Sequence, residues 1–420
     1  MKKALLISVA TWFTLLGSQA SFAHTLTVNC QGGADFDHIQ AAVDFADKGD
    51  TLLIAACVYE EQVSIGEKAL VLIGGGKEVT VLTWSGTGSA LYSGDAGLFI
   101  KGLGIQRNPP TSEALVWHDY SIRVEECFID GRVRGGYYHG SINAQKSYVR
   151  ELFVIGGQTI SEISDCELSL VQISGIIFEA GNGLQSTGCH IGVLQFGSLA
   201  GAASLRDSIG CVYLNGGLDV YNGFGATEST IDTVHASESP TLDLHGCRVG
   251  TLSYGVWEYG PNLSIQECVV LGNCVIEPQH YPYSASNGAS SQPDNEYLIE
   301  HNTFVGSCTI DEPSTWQAPT TNLVRSNIFA GPTVISAVQG LSLTYNCFAS
   351  APEFSGKLDE SNLLTNPQFC DPILDFRLNQ SSPCLGAAHD GGNIGALGVG
   401  CGKVKVKEVS WGKLKTLFPH

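Results

Sequence analysis

From residue 122 onward the chain keeps returning to one short phrase: alternating apolar residues, then Cys or Asn, then apolar residues and Gly. Copies with Cys are Ile122-Arg-Val-Glu-Glu-Cys127, Ile163-Ser-Asp-Cys166, Gln185-Ser-Thr-Gly-Cys189, Leu242-Asp-Leu-His-Gly-Cys247 and Leu263-Ser-Ile-Gln-Glu-Cys268. Later copies put Asn in the same place: Ile299-Glu-His-Asn302, Val324-Arg-Ser-Asn327 and Leu343-Thr-Tyr-Asn346. The spacing is 23 residues from Cys166 to Cys189, 22 on to Cys211, 21 from Cys247 to Cys268, 25 from Asn302 to Asn327 and 19 on to Asn346. A period of this length restricts the chain to a solenoid, in which each unit extends the core of its neighbours. The apolar residues alternate with period two and no unit holds a helical pattern, so each unit is a coil of short strands, stacked ~4.8 Å apart. The repeats amount to about twelve coils forming one elongated domain, where length alone suggests two or three.

The marker residue explains itself physically. Asn can hydrogen-bond backbone groups of its own and adjoining turns, while Cys fills the same small inward site as a compact apolar residue. Most of the 14 cysteines are therefore expected as unpaired ladder members. Single cysteines, one per coil, do not make a metal motif, which would need close pairs. At 43% hydrophobic and 15% charged residues the chain is neither disordered nor a coiled coil. Its net charge of −19 repels phosphate backbones, so nucleic acid is not an expected partner.

The first residues read as an export signal. Lys2 and Lys3 precede an apolar stretch from Ala4 to Leu16, and Ala20-Ser-Phe-Ala23 has the small residues of a cleavage site. Residues 1–23 are expected to be removed; no later stretch is apolar for long enough to span a bilayer. Secretion, to the cell surface or the periplasm, then permits disulfides. A short helix follows, with Ile39, Ala42, Val43 and Ala46 on one face and Gly49 as its stop. Closely spaced strands come next, Asp50–Ala56, Val58–Ile65, Ala69–Gly74 and Val79–Leu82.

Here the sequence resembles a known family. Ile39-Gln-Ala-Ala-Val-Asp44, Gly49-Asp-Thr51 and Val58-Tyr-Glu-Glu-Gln-Val63 are similar to the opening of pectin-lyase-like proteins, whose fold is all-β, a right-handed parallel β-helix with a capping helix before the first coil. Where that family usually has Pro-Gly-Thr-Tyr, this chain has Ala56-Cys57-Val58-Tyr59, and Cys30 precedes the helix; a Cys30–Cys57 disulfide is the expected consequence. Asn366-Pro-Gln-Phe-Cys370-Asp-Pro, Ser382-Pro-Cys384 and Asn393-Ile-Gly-Ala-Leu-Gly-Val-Gly-Cys401 resemble the terminal segment of secreted bacterial β-helix proteins, expected to fold over the open end of the solenoid. Among its three cysteines the most local bridge is Cys370–Cys384. The β-helix thus runs over residues 24–402, followed by a basic tail, 403–420, which reads either as a solvated end or as an attachment signal centred on Trp411-Gly-Lys413.

The fold carries no activity with it. Of the polygalacturonase-like motifs only Tyr138-His-Gly140 and Leu244-His-Gly246 come near, and the pectinesterase-like Asp-Phe-Ile-Phe-Gly is missing. Pectate-lyase-like chemistry would need Ca²⁺ held by acidic residues on successive coils, and no single position identifies them, so no cofactor is assigned. His24 as a new N-terminus resembles a copper-binding histidine, but it opens the first strand of a solenoid rather than a β-sandwich. A binding surface remains. Arg132, Arg134, Tyr137, Tyr138 and His139 join bases to aromatics, and two insertions, 277–297 and 311–320, add His280, Tyr281, Tyr283 and Trp316. Such rings either pack under their own loops or stack on sugars. The sequence therefore reads as a secreted β-helix protein that binds extracellular polysaccharide or a cell surface; the alternative is a divergent polysaccharide-active enzyme, a lyase before a hydrolase.

Overall fold

The computed structural model describes residues 23–401 apart from 119, 136–139, 156–160, 175–182, 197–200, 206, 216–222, 238–240, 257–262, 279–296, 312–321, 337–340 and 355. The alternation in the repeat becomes strands with one face buried: in Ile122–Glu125 the side chains of Ile122 and Val124 are buried while Arg123 and Glu125 face outward. Fifteen such short strands, from Thr25–Val28 to Leu341–Thr344, stack in parallel register as one wall. A 22-stranded parallel sheet supplies the remaining walls. The result is a right-handed parallel β-helix of about 13 turns, close to the twelve expected, with one helix among the described residues. The first coils, through Leu98–Lys101, carry no Cys or Asn marker.

The marker positions form a continuous ladder at one corner. The Cys268 N–H donates to Asn302 Oδ1 at 2.8 Å, the Asn302 N–H to Asn327 Oδ1 at 2.9 Å, the Asn327 N–H to Asn346 Oδ1 at 3.0 Å and the Asn346 N–H to Asn362 Oδ1 at 3.0 Å. Ser147 takes the same place by accepting from the Cys127 N–H at 3.1 Å, and so does Asp207, whose Oδ1 accepts from the Cys189 N–H at 2.7 Å. This corrects the reading of Cys211 as a ladder member. Cys211 lies four residues beyond the corner, on a strand in register with Val193 and Thr233; its 22-residue spacing from Cys189 is coincidental. Most described corners are turned by a left-handed residue just before the ladder, among them Glu126 at φ 54°, His301 at φ 56° and Ser326 at φ 58°. Ten thiols are free, nine of them buried, and burial pushes the Cys127 thiol up to about 11.

In the middle coils the strand after the corner is long, as in Phe128–Gly135, Tyr148–Ile155, Glu167–Ser174 and Ser208–Asn215. After Arg248–Val256 one extra residue enters at Gly272, and the next coil pairs in two pieces, Val269–Val270 and Cys274–Pro278. That insertion turns Cys274 and Cys308 inward, in register with each other, although both sit six residues past the ladder. Inside these last coils Phe304, Phe329 and Phe348 stack with centroids 5.0 and 4.9 Å apart.

The N-terminal cap is built as the opening motif implied, and the structure joins Cys30 to Cys57. The helix Ile39–Phe45 buries Ile39, Ala42 and Val43. Its N-cap residue, His38, makes no side-chain cap; Glu61 does the work from the neighbouring coil, accepting the Ile39 and Gln40 N–H groups at 2.8 and 2.9 Å. A carboxylate there meets both orphan donors and the positive end of the helix. Glu61→Ala should therefore cost about 1–2 kcal/mol in urea unfolding, whereas a change at exposed Glu60 should leave the midpoint in place.

The C-terminal segment forms a three-stranded sheet, Phe369–Asp371, Asp375–Asn379 and Val399–Cys401. Its disulfide is Cys370–Cys401, not the expected Cys370–Cys384. Locality in sequence was a poor guide, because Cys384 points into a second small core with Ile328, Cys347, Leu378 and Ile394, while the chain returns Cys401 to within a Cα distance of 5.5 Å from Cys370. The closure also reaches back along the side of the last coils: the Gly395 N–H donates to the Ser326 carbonyl at 2.8 Å and the Ala396 N–H to Thr303 Oγ1 at 3.1 Å. Residues 1–22, where an export signal is expected, and the tail from 402 lie outside the described residues.

Candidate functional site

Because side chains alternate, each long strand offers outward positions that line up from coil to coil. One outward row, in register throughout, is Arg134, Phe153, Gln172, Gln195, Tyr213, His235 and Ser253. Tyr213 and His235 are exposed and meet edge-on at 6.2 Å. At the other end the Arg132 guanidinium lies 4.6 Å over the Phe153 ring, fixing its plane.

The first coils of this face are charged. Arg132 Nε contacts Glu151 Oε2 at 3.1 Å, Arg134 Nη1 contacts Glu113 Oε1 at 3.3 Å, and Arg150 pairs with Asp130. The hydrogen bond to Asp130 holds the Arg150 guanidinium above its ordinary pKa. Arg132 and Arg134, both named from the sequence, thus share one strand and one face. Tyr137, Tyr138, His139, Tyr281, Tyr283 and Trp316 lie outside the described residues.

Sequence reading missed Gln172, Gln195, Tyr213 and His235 because it looked for aromatic and basic residues close together along the chain. A solenoid site takes one residue per coil. The signal was there: each of these four stands six residues beyond its ladder residue, Cys166, Cys189, Asp207 and Ser229. Two of those ladder residues are not Cys or Asn, so the alignment was invisible without the coordinates.

A second polar cluster lies where the closure meets the corner of the last coils. Glu300 ends the strand Tyr297–Glu300 and His301 is the left-handed corner residue after it. His389 and Asp390 arrive from the closure. Glu300 Oε1 is 3.2 Å from His389 Nε2 and 3.5 Å from His301 Nε2, and Asp390 Oδ2 is 3.6 Å from His301 Nε2. Arg325 Nη2 holds the other Glu300 oxygen at 3.1 Å. The Gly392 N–H, with smaller help from His301 and His389, keeps the Asp390 carboxyl below its usual value against the opposing effect of desolvation. A cleft of about 450 Å³, lined by Gln266, Glu267, His301 and Asn393 among others, opens beside the cluster.

No family model matches this sequence, and no curated protein matches it. Among solved structures it is similar to a pectin methylesterase from carrot, at 14% identity over 81% of this chain and 88% of that one, TM-score 0.24. It is also similar to pectin methylesterase PemA from Erwinia chrysanthemi, at 13% over 81% and 92%, TM-score 0.28. A pectin methylesterase in complex with a hexasaccharide gives 13% over 77% and 92%, TM-score 0.29. Likeness of this degree carries no functional argument; the architecture rests on the strand pairings and the site on its own geometry.

Proposed function

We propose that this protein binds a linear extracellular polysaccharide along its long-strand face. The support is the in-register row from Arg134 to Ser253, one outward side chain per coil over seven coils. Aromatic faces and edges suit the C–H surfaces of sugar rings. The amides of Gln172 and Gln195 both donate and accept, matching hydroxyl groups without demanding a charge. Coils spaced ~4.8 Å apart advance by close to the length of one sugar ring, so successive rings meet equivalent positions on successive coils. Delivery to the cell surface or periplasm by the segment 1–23 belongs to the same proposal, and two disulfides agree with an oxidising compartment.

The test is affinity gel electrophoresis against a panel of neutral and acidic polysaccharides. One or more should retard the protein, and Tyr213→Ala or Gln195→Ala should weaken the retardation about tenfold, the loss of roughly 1.4 kcal/mol. Leu374→Ala, exposed on the closure, should leave it unchanged. Retardation by none of the panel, or retardation indifferent to Tyr213, counts against the proposal.

The enzymatic reading has one observation behind it: Glu113, Asp130 and Glu151 gather with three arginines on adjacent coils. Elimination would need an arginine free to act as the base, and here each of the three guanidiniums is held against a carboxylate. The earlier preference for a lyase therefore has no support over hydrolysis or ester cleavage. Release of reducing ends, methanol or unsaturated product from a bound polysaccharide, abolished by Glu151→Gln, would favour this reading.

A further inference from the structure

The cluster at the closure has a geometry that the glycan row does not use. We infer that Glu300, His301 and His389 form a binding site for a divalent transition-metal ion of the zinc class, with the fourth position left to water beside Asp390.

Three features carry this. First, the spacings suit an ion better than direct hydrogen bonds. One carboxylate oxygen and two imidazole nitrogens lie within 4.8 Å of one another. The Glu300 Oε1 separations of 3.2 and 3.5 Å exceed the ~2.9 Å of a good N–H···O bond. Metal–nitrogen and metal–oxygen bonds of ~2.0–2.1 Å in a tetrahedron put neighbouring ligand atoms ~3.3 Å apart, close to both Glu300 separations.

Second, the outward nitrogen of each ring is already engaged. His301 Nδ1 is 3.2 Å from the Asn393 carbonyl, which can only accept, so Nδ1 is the donor there and Nε2 is the nitrogen turned toward the ion. His389 Nδ1 lies 2.9 Å from Ser326 Oγ, which also accepts the His389 backbone N–H at 3.1 Å. Arg325 likewise takes Glu300 Oε2 and leaves Oε1 for the ion. These are the supporting contacts that orient metal ligands.

Third, the donor set selects the ion. Two imidazoles and one carboxylate suit zinc and its neighbours rather than Ca²⁺ or Mg²⁺, which prefer oxygen alone. An ion there would tie the coil residues Glu300 and His301 to the closure residue His389. It would therefore secure the closure against the side of the solenoid.

The experiment uses the full mature protein, stripped with a chelator and titrated with ZnCl₂ by calorimetry, and with CoCl₂ by visible absorption. One ion per chain is expected, with the intense visible bands of four-coordinate Co²⁺ and a rise in thermal midpoint that excess chelator reverses. His301→Gln and His389→Gln should each weaken binding at least about a hundredfold, and Ser326→Ala, which only orients His389, about 10–100-fold. Circular dichroism of each variant confirms that it folds. Because glycan binding uses another face, Tyr213→Ala should leave the titration unchanged. Failure of the wild-type protein to bind either ion at micromolar concentration, or binding that survives His301→Gln combined with His389→Gln, overturns the inference.

Discussion

Asn327→Ala is expected to cost about 3–5 kcal/mol in denaturant unfolding, which is a large share of a domain's stability. Asn327 is fully buried and its amide makes four hydrogen bonds: Oδ1 accepts from the Asn302 N–H and from Asn302 Nδ2, while Nδ2 donates to the Ile299 carbonyl and to Asn346 Oδ1. Asn302 Nδ2 keeps the Ile265 carbonyl and Asn346 Oδ1 keeps the Asn327 N–H, so truncation leaves the buried Asn302 N–H without its acceptor and removes one donor from the Ile299 carbonyl. A buried orphan costs ~1–3 kcal/mol, and the other lost bonds and the emptied space add to it. Asn327→Cys should be milder than Asn327→Ala, since the chain itself uses Cys at this place in Cys247 and Cys268, and a thiol there still meets a backbone N–H at 3.3 Å. A loss below about 1 kcal/mol for Asn327→Ala would mean that the ladder does not hold the coils together.

The second large effect is expected at Gly306. A Cβ there would lie 2.2 Å from the Gly272 carbonyl oxygen and 2.5 Å from its carbon, both backbone atoms of the coil beneath. Gly272 in turn would meet the Gly250 carbonyl oxygen at 2.8 Å, and Gly331 the Gly306 oxygen at 2.1 Å, so the glycines form their own stack. Relief requires separating coils along the axis, which breaks the parallel ladder. Gly306→Ala should destabilise by about 3 kcal/mol or more, or abolish folding. Gly225→Ala is the matched control: its Cβ would meet only the Asp243 oxygen at 3.9 Å, and the change should be neutral or slightly stabilising. Equal midpoints for the two variants would refute the close coil approach.

Much of this was legible in the sequence because a solenoid writes its core as a repeat. The alternation around Cys127, Cys166 and Asn302 is the inward face of the short strands, and the phrase Ile39-Gln-Ala-Ala-Val marks the cap helix. Register was legible only where the marker residue stayed the same. At Asp207 a carboxylate does the work of the Asn amide, which leaves Cys211 as the apparent marker; near Gly272 one added residue reverses the facing of the rest of that strand. The binding face suffered for the same reason, since Tyr213 and His235 are neighbours only once Asp207 and Ser229 are known to be corners. Contacts between the closure and the coils were beyond sequence reasoning altogether. His301 and Asn393 stand 92 residues apart, and no spacing rule connects them.

The central claim is that a polysaccharide lies along the coils with about one ring per coil, and length dependence tests it most directly. Calorimetric titration with oligosaccharides of increasing length, drawn from whichever polysaccharide retards the protein, should show affinity climbing with each added ring. It should level off near seven, the number of coils in the row from Arg134 to Ser253. Affinity that is already maximal for a disaccharide, or that climbs equally in Tyr213→Ala, would contradict a chain laid along this face.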